Sequence, residues 1–248
     1  MAEQHFMKTL EKAHRTALPE DSYAVVRVDG KGFSKYTKNL DKPFDAEFTA
    51  DMRETAKYLC ENIDGAILGY TQSDEISVVF SDLGGANTEW WFGGQVQKIV
   101  SVVAAMATAK FNSIRFDVHA PLALFDARVH ALDADGIGGV YQYLNWRQTD
   151  AIRNSIGMLA SHHFSHKQLQ GVSAEDRVHM LAGLGVNWYD ADNAVRRGSL
   201  VGRETQQKTT SYTHKGEVVT VSFERREWIV DDAPRFTSDN VFEILEAK

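Results

Sequence analysis

The sequence predicts an α+β fold built on a ferredoxin-like antiparallel sheet, and three observations in its first 132 residues lead there. Runs of β-branched and aromatic residues recur at 23–28, 66–70, 75–80 and 122–132. The segments after the first and third runs carry apolar residues every three or four positions, the spacing of one-sided helices. "TQSD" divides the middle two runs with the length and residue types of a hairpin turn. The order is strand, helix, hairpin, helix, strand, with both helices expected on one face of the sheet.

Taken in order, residues 3–16 have the composition of a helix, which Pro19, Asp21 and Ser22 end before the first strand. Residues 46–63 place Phe48, Met52, Ala56, Leu59 and Ile63 on one stripe, which needs a sheet to pack on. The helix at about 95–110 aligns Ile99, Val103 and Met106, with Lys110 reaching out to solvent. Trp90 and Trp91 at its start read as core or interface anchors. "GIGG" at 136–139 reads as a flexible connection, residues 141–190 as mostly helical, and "GEVVTVSFERREWIV" alternates like a hairpin. No repeat, low-complexity tract or linker divides the chain. One domain is expected over 1–248, with a sheet core at about 20–135 and a helical and hairpin extension at about 136–248.

Composition narrows the function classes. With 43% hydrophobic and 25% charged residues in 248, the chain can bury a substantial core. Its longest apolar patch, "IVSVVAAMA", is far short of a bilayer span, and its charged amino terminus lacks a secretory h-region, so no membrane and a cytoplasmic location are expected. Cys60 is the single cysteine, which excludes an internal disulfide and any multi-cysteine zinc site, and its helical apolar setting marks it as a small core residue. The net charge of −7 argues against a non-specific nucleic-acid coat. Its distribution weakens that objection: residues 196–226 hold seven basic residues (Arg196, Arg197, Arg203, Lys208, Lys215, Arg225, Arg226) against three acidic ones (Glu204, Glu217, Glu224), so this segment is +4 and the remainder −11.

Chemistry concentrates at two aspartates. Asp29 ends the first strand and Asp74 lies in the hairpin turn, so the topology brings two carboxylates to one edge of the sheet. Such a pair repels unless a cation holds it, and magnesium suits it, preferring hard oxygen ligands and leaving positions for phosphate. Gly30 and Gly32 in "DGKG" let a ligand approach, and the amides of 30–34 can form an anion-binding concavity beside Lys31. "DGKG" alone is equally a tight turn; its pairing with "QSDE" moves the reading to metal and phosphate. No G-x-x-x-x-G-K-[ST] is present. His162, His163 and His166 read as an exposed polar helix face, and "NWRQTD" at 145–150 as either an internal network or part of a site.

Five motifs in order, "VVRVDGKGFSKYTK" (25–38), "KPFD" (42–45), "GYTQSDEISVVF" (69–80), "YLNWRQTD" (143–150) and "VRRGSLV" (195–201), resemble the tRNA-His guanylyltransferase family and its guanylyltransferase-like 3′-to-5′ polymerases. The resemblance covers roughly 23–201. It implies a palm domain like those of polymerases and nucleotide cyclases, and nucleotide addition to tRNA 5′ ends: ATP activates a 5′-monophosphate, and the 3′-hydroxyl of an incoming nucleotide attacks it. By resemblance, Asp29, Asp74 and the Gly30 carbonyl would hold two magnesium ions, with Glu75 a supporting catalytic carboxylate. Lys31, Gly32, Phe33, Ser34 and Ser73 would hold the triphosphate of ATP, GTP or another NTP, and Lys42 and Asp45 would meet the activating nucleotide.

Three departures matter. Ile152 in "IRNS" replaces the histidine of the eukaryotic "HINN", Arg177 replaces a family lysine, and Ser34 replaces a histidine. They favour the like-protein branch, a templated repair polymerase for truncated tRNA, over the addition of one guanosine. Asn154, Arg177, Asn187, Arg196 and Arg197 are candidate tRNA contacts, and a homotetramer is implied by the resemblance. A nucleotide cyclase using the same aspartates is an alternative, although the hairpin reads "TQSDE" rather than Gly-Gly-Asp/Glu-Glu-Phe. A non-catalytic nucleotide- or RNA-binding protein is a third, against which two retained carboxylates speak.

Overall fold

The structure is a computed structural model, and it describes residues 2–83, 89–116, 121–132, 136–214 and 217–246. Lys215, counted in the basic segment, lies outside the described residues. In chain order come helix α1 (Ala2–Ala13), strand β1 (Tyr23–Gly30), the single turn α2 (Phe33–Tyr36), α3 (Ala46–Asn62), β2 (Ala66–Gln72), β3 (Glu75–Ser81), α4 (Val96–Ile114) and β4 (Phe125–Leu132). The second half holds α5 (Ile137–His163), α6 (His166–Leu169), α7 (Ala174–Gly183), α8 (Asn193–Arg197), β5 (Ser199–His214), β6 (Glu217–Asp232) and α9 (Ser238–Glu246). Residues 137–139 form the first turn of α5, so most of "GIGG" is helix rather than a flexible connection.

The sheet order is β4-β1-β3-β2-β5-β6, with every neighbour antiparallel. Its first four strands are the ferredoxin-like set. The expected stripes of α3 and α4 meet one face, where Met52, Ala56, Leu59, Ile99, Val103 and Phe111 pack on Ala24, Val26, Val28, Ile76, Val78 and Phe80. Cys60 belongs to this core, and Trp90 closes it with its Nε1 donating to the Pro19 carbonyl at 2.8 Å. Burial pushes the Cys60 thiol far above its ordinary value, leaving no reactive thiolate.

The opposite face is covered too, by the extension. Val140, Tyr143 and Leu144 of α5 and Val241 and Leu245 of α9 pack on Tyr23, Val25, Leu68, Tyr70 and Val79. The far half of α5 makes a third cluster with α7 and Trp188. Gln148 fastens these layers: its amide donates to the Pro234 carbonyl at 2.7 Å and accepts from the Phe236 amide at 3.0 Å. The hairpin foreseen at 216–230 is a ribbon of two sixteen-residue strands, of which only Ser199–Val201 pair with β2.

Candidate active site

Strand alternation decides which side chains share the site. Arg27 and Asp29 of β1 pair with Ser77 and Glu75 of β3, and all four face α5. The tight turn between β2 and β3 brings in Asp74, with Ser73 at φ 49 and its hydroxyl donating to Asp74 Oδ1 at 3.2 Å. Gly30 N donates to the Asp74 carbonyl at 3.1 Å, fixing the end of β1 to this turn. Asp29 and Asp74 line one cleft of about 350 Å³ with Arg27, Gln72, Ser73, Glu75, Trp146, Arg147, Asp150 and Asn154.

The two predicted aspartates are therefore brought together, and neither has an ion-pair partner among the described residues. Burial raises the Asp74 carboxyl above the ordinary range, and the charge of Asp29 raises it further. A pair of hard oxygen donors that resist shared ionisation, at the mouth of an open cleft, fits a divalent cation. No set of three or more His, Cys, Asp or Glu that could hold a metal occurs among the described residues, so His162, His163 and His166 form no such site.

Glu75, expected to stand beside the metal pair as a supporting carboxylate, is held by α5. Arg147 of α5 donates to both its oxygens, Nε to Oε1 and Nη2 to Oε2, each at 2.7 Å, and reaches Asp150 at 2.9 Å. Burial raises the Glu75 carboxyl against the lowering pull of Arg147. For Arg147, burial's lowering effect is outweighed by Glu75 and Asp150, so the guanidinium stays charged. "NWRQTD" is thus an internal network that also walls the site. Arg27 stands 4.0 Å from Glu75, and its buried Nε has no hydrogen-bond partner.

The chain turns tightly after Asp29. A Cβ on Gly30 would lie 2.4 Å from the Phe33 ring, and Gly32 holds φ 70. Phe33 is buried against Phe48, Phe111 and Phe125, which anchors the turn. The amides of Gly30 and Lys31 are spent on the Asp74 and Leu124 carbonyls. Those of Gly32, Phe33 and Ser34 have no acceptor among the described residues, so three of the five amides expected to meet an anion remain open to one. The Lys31 and Ser34 side chains are exposed.

A second, mostly apolar pocket adjoins the cleft, lined by Phe44, Phe48, Met52 and Met158 and joined to it through Gln72, Ser73 and Asn154. Asp45 lines it too, but its carboxylate caps α3, accepting from the Phe48 and Asp41 amides at 2.7 and 3.0 Å. Burial opposes that charge, yet those amides and Arg115 outweigh it and hold the carboxyl below its ordinary range. Exposed Lys42 donates to the Thr37 carbonyl at 2.7 Å.

Of the five candidate tRNA contacts, Asn154 lines both cavities. Half-buried Arg197 receives Tyr70 on its carbonyl at 2.7 Å. Arg197 and the other three lie outside both cavities, and those three have internal side-chain partners. Asn187 caps the 188–190 turn, accepting from the Tyr189 amide at 3.1 Å and donating to Asp190 at 2.8 Å. Arg196 donates to the Ala191 carbonyl and Asn193 at 2.7 Å each and lies over Trp188, and Arg177 donates to the Leu169 carbonyl at 3.3 Å. Arg27 and Gln72 were not foreseen as site residues, whereas Asp150 belongs to the "NWRQTD" stretch read as an internal network or part of a site. Strand alternation from Asp29 was the one signal that could have found Arg27.

Residues 4–133 match the family model described as tRNAHis guanylyltransferase. The chain is 31% identical to the tRNA(His) guanylyltransferase of Schizosaccharomyces pombe over 216 residues, covering 80% of this chain and 79% of that one. Among solved structures, a bacterial tRNA(His) guanylyltransferase-like protein in complex with ATP superposes with a TM-score of 0.83 at 37% identity, covering 97% of this chain and 96% of that one. Such a bacterial protein in complex with GTP gives 0.80 at 35%, over 99% of each chain. The Saccharomyces cerevisiae enzyme, at 23% identity and a TM-score of 0.66 over 78% of this chain and 91% of that one, shares the fold.

Proposed function

The chain belongs to the tRNAHis guanylyltransferase family and is thereby a nucleotidyltransferase, and on that premise we propose that it extends tRNA 5′ ends in the 3′-to-5′ direction against a template strand. The observation that carries the reading is the pair Asp29 and Asp74, side by side at an open cleft, with no ion-pair partner for either among the described residues.

In this reading the RNA 5′-phosphate attacks the α-phosphorus of ATP and releases pyrophosphate. The 3′-hydroxyl of the incoming nucleotide then attacks the activated phosphorus and releases AMP. Asp29 and Asp74, with the Gly30 carbonyl, would hold two magnesium ions, which when bound polarise phosphoryl oxygens and stabilise the leaving group. The free amides of Gly32, Phe33 and Ser34 receive triphosphate oxygens, with Lys31 and Ser73 beside them. Arg27 presents an unsatisfied buried donor to the same cleft, where a phosphate oxygen completes it. The apolar pocket takes the nucleotide's base, with Asp45 holding its wall in place. Glu75 acts through Arg147, which it holds together with Asp150 as a fixed wall of the cleft. Of the candidate RNA contacts, Asn154 lines the cleft where this chemistry would take place.

Support for templated addition comes from position 152, where Ile152 packs into the α5 and α7 cluster and offers no polar group to a base. The likeness to bacterial guanylyltransferase-like proteins points the same way. The 31% identity to a tRNA(His) guanylyltransferase keeps single-guanosine addition as the second reading. A labelled tRNA lacking its first one or two nucleotides, incubated with magnesium, ATP and single NTPs, separates them. Extension only by complementary nucleotides supports the templated reading, one G regardless of template replaces it, and consumption of free NTP without extension points to a cyclase. The proposal includes assembly into a homotetramer in the cytoplasm, which a monomeric, fully active species in solution would defeat. Among the described residues, no helix is long and apolar enough to cross a membrane.

A further inference from the structure

Among the described residues Trp146 is the one aromatic lining the carboxylate cleft, and 55% of its surface is exposed. It is nonetheless fixed. The Arg147 guanidinium lies 4.4 Å from the ring centroid and is itself locked by Glu75 and Asp150. Tyr143 meets the ring at 5.9 Å and 73°, with its own hydroxyl bonded to Ser77 at 2.8 Å. An indole that served only to shield Arg147 would be more stable fully covered, because its open apolar surface is a standing cost in water. A rigid, half-open indole in an otherwise polar cleft has the properties of a base-stacking platform.

We propose that Trp146 stacks the base of the RNA's 5′-terminal nucleotide. The inference rests on the 5′-end reading above. That reaction brings two bases to one pair of carboxylates. The apolar pocket lined by Phe44, Phe48 and Met52 accounts for the base of the bound nucleotide, and Trp146 is not part of it. The two cavities meet at Gln72, Ser73 and Asn154, so a second base can enter from the Trp146 side while the first is held. Stacking is indifferent to which base is present, as required of a site that meets whatever nucleotide ends the RNA.

The test is a binding cycle independent of turnover. The wild-type protein, Trp146→Ala and Trp146→Phe are titrated by fluorescence anisotropy with a truncated tRNA whose 5′-terminal nucleotide is intact or abasic. Trp146→Ala should weaken the intact RNA about tenfold and leave the abasic RNA unchanged, with Trp146→Phe recovering part of the loss. Equal weakening of both RNAs means the ring only braces Arg147, and overturns the platform; so does no weakening of either. Unchanged RNA binding with a raised KM for NTP overturns the assignment to RNA and gives the ring to the free nucleotide. If the wild-type protein extends no tRNA yet the cycle shows the base-dependent loss, the reaction reading fails and the stacking site survives.

Discussion

Alternate residues of β1 look in opposite directions, and the two faces they build differ in kind. Towards α3 and α4 stand Ala24, Val26 and Val28, opposite Phe80, Val78 and Ile76, all with no exposed surface. Towards α5 the same strand runs Tyr23, Val25, Arg27, Asp29, and its partner residues run Ser81, Val79, Ser77, Glu75. One face is apolar to its end; the other turns from apolar to ionic along its length, reaching the carboxylates at the sheet's edge. The first face supplies the burial that holds the strands in register. The second gives up part of that burial to place charges that are useful only with a ligand. Mutations should therefore separate activity from stability according to the face they touch.

The largest separation is expected at the end of the ionic face. Asp29→Ala and Asp74→Ala should each lower nucleotide addition by about a thousandfold or more, read by single-turnover extension of a truncated tRNA, with a melting temperature no lower than wild type. Retained activity in either would remove the two-metal assignment. On the apolar face the outcome inverts. Phe111→Ala, in contact with Phe33, Phe48 and Phe125, should cost about 3–5 kcal/mol in denaturant unfolding while the molecules that remain folded keep their activity. Arg147→Ala joins the two effects, because it strands Glu75 as a buried charge: a loss of about 3–5 kcal/mol together with loss of activity is expected. Restoration of stability but not of activity by Glu75→Gln in that background would confirm a positioning role.

A smaller effect follows from the raised carboxyl of Asp74. In the absence of magnesium the folded protein holds a proton there more readily than the unfolded chain, whose aspartates titrate near about 4. The site's contribution to stability is complete below that value and is lost as pH rises through the higher folded one. Asp74→Asn should flatten this dependence and raise the metal-free melting temperature at neutral pH by a few degrees. Magnesium should then stabilise the wild type and not the variant. A lower metal-free melting temperature in Asp74→Asn would mean that the pair carries no repulsion.

The apolar face was legible in the sequence because its signals are local. Three- and four-residue spacing marks α3 and α4, and β-branched runs mark β1 and β3. The ionic face was legible at its aspartates and, through the resemblance alone, at Glu75. Its covering helix, α5, interrupts its apolar stripe with Arg147 and Gln148, so no one-sided pattern announced a second covered face. Their partners, Glu75 and Phe236, are 72 and 88 residues away and meet them only in the fold. The ribbon's first strand, "SLVGRETQQKTTSYTH", is mostly exposed and polar, which leaves its sixteen-residue length without an alternating signature.

Asn187 tests how far a polar residue proposed as an RNA contact can be read as one. Its side chain satisfies the Tyr189 amide and Asp190, and "NWYD" carries the spacing of a capped turn rather than of a phosphate site. Removing a cap of this kind costs about 1 kcal/mol, the smallest of the expected losses. Asn187→Ala should show that loss in urea unfolding with tRNA affinity unchanged, whereas Asn154→Ala, open to both cavities, should weaken tRNA binding with stability unchanged. Should Asn187→Ala weaken tRNA binding and spare stability, the turn is a docking element, and RNA contact extends from the ionic face of the sheet to the far end of α5.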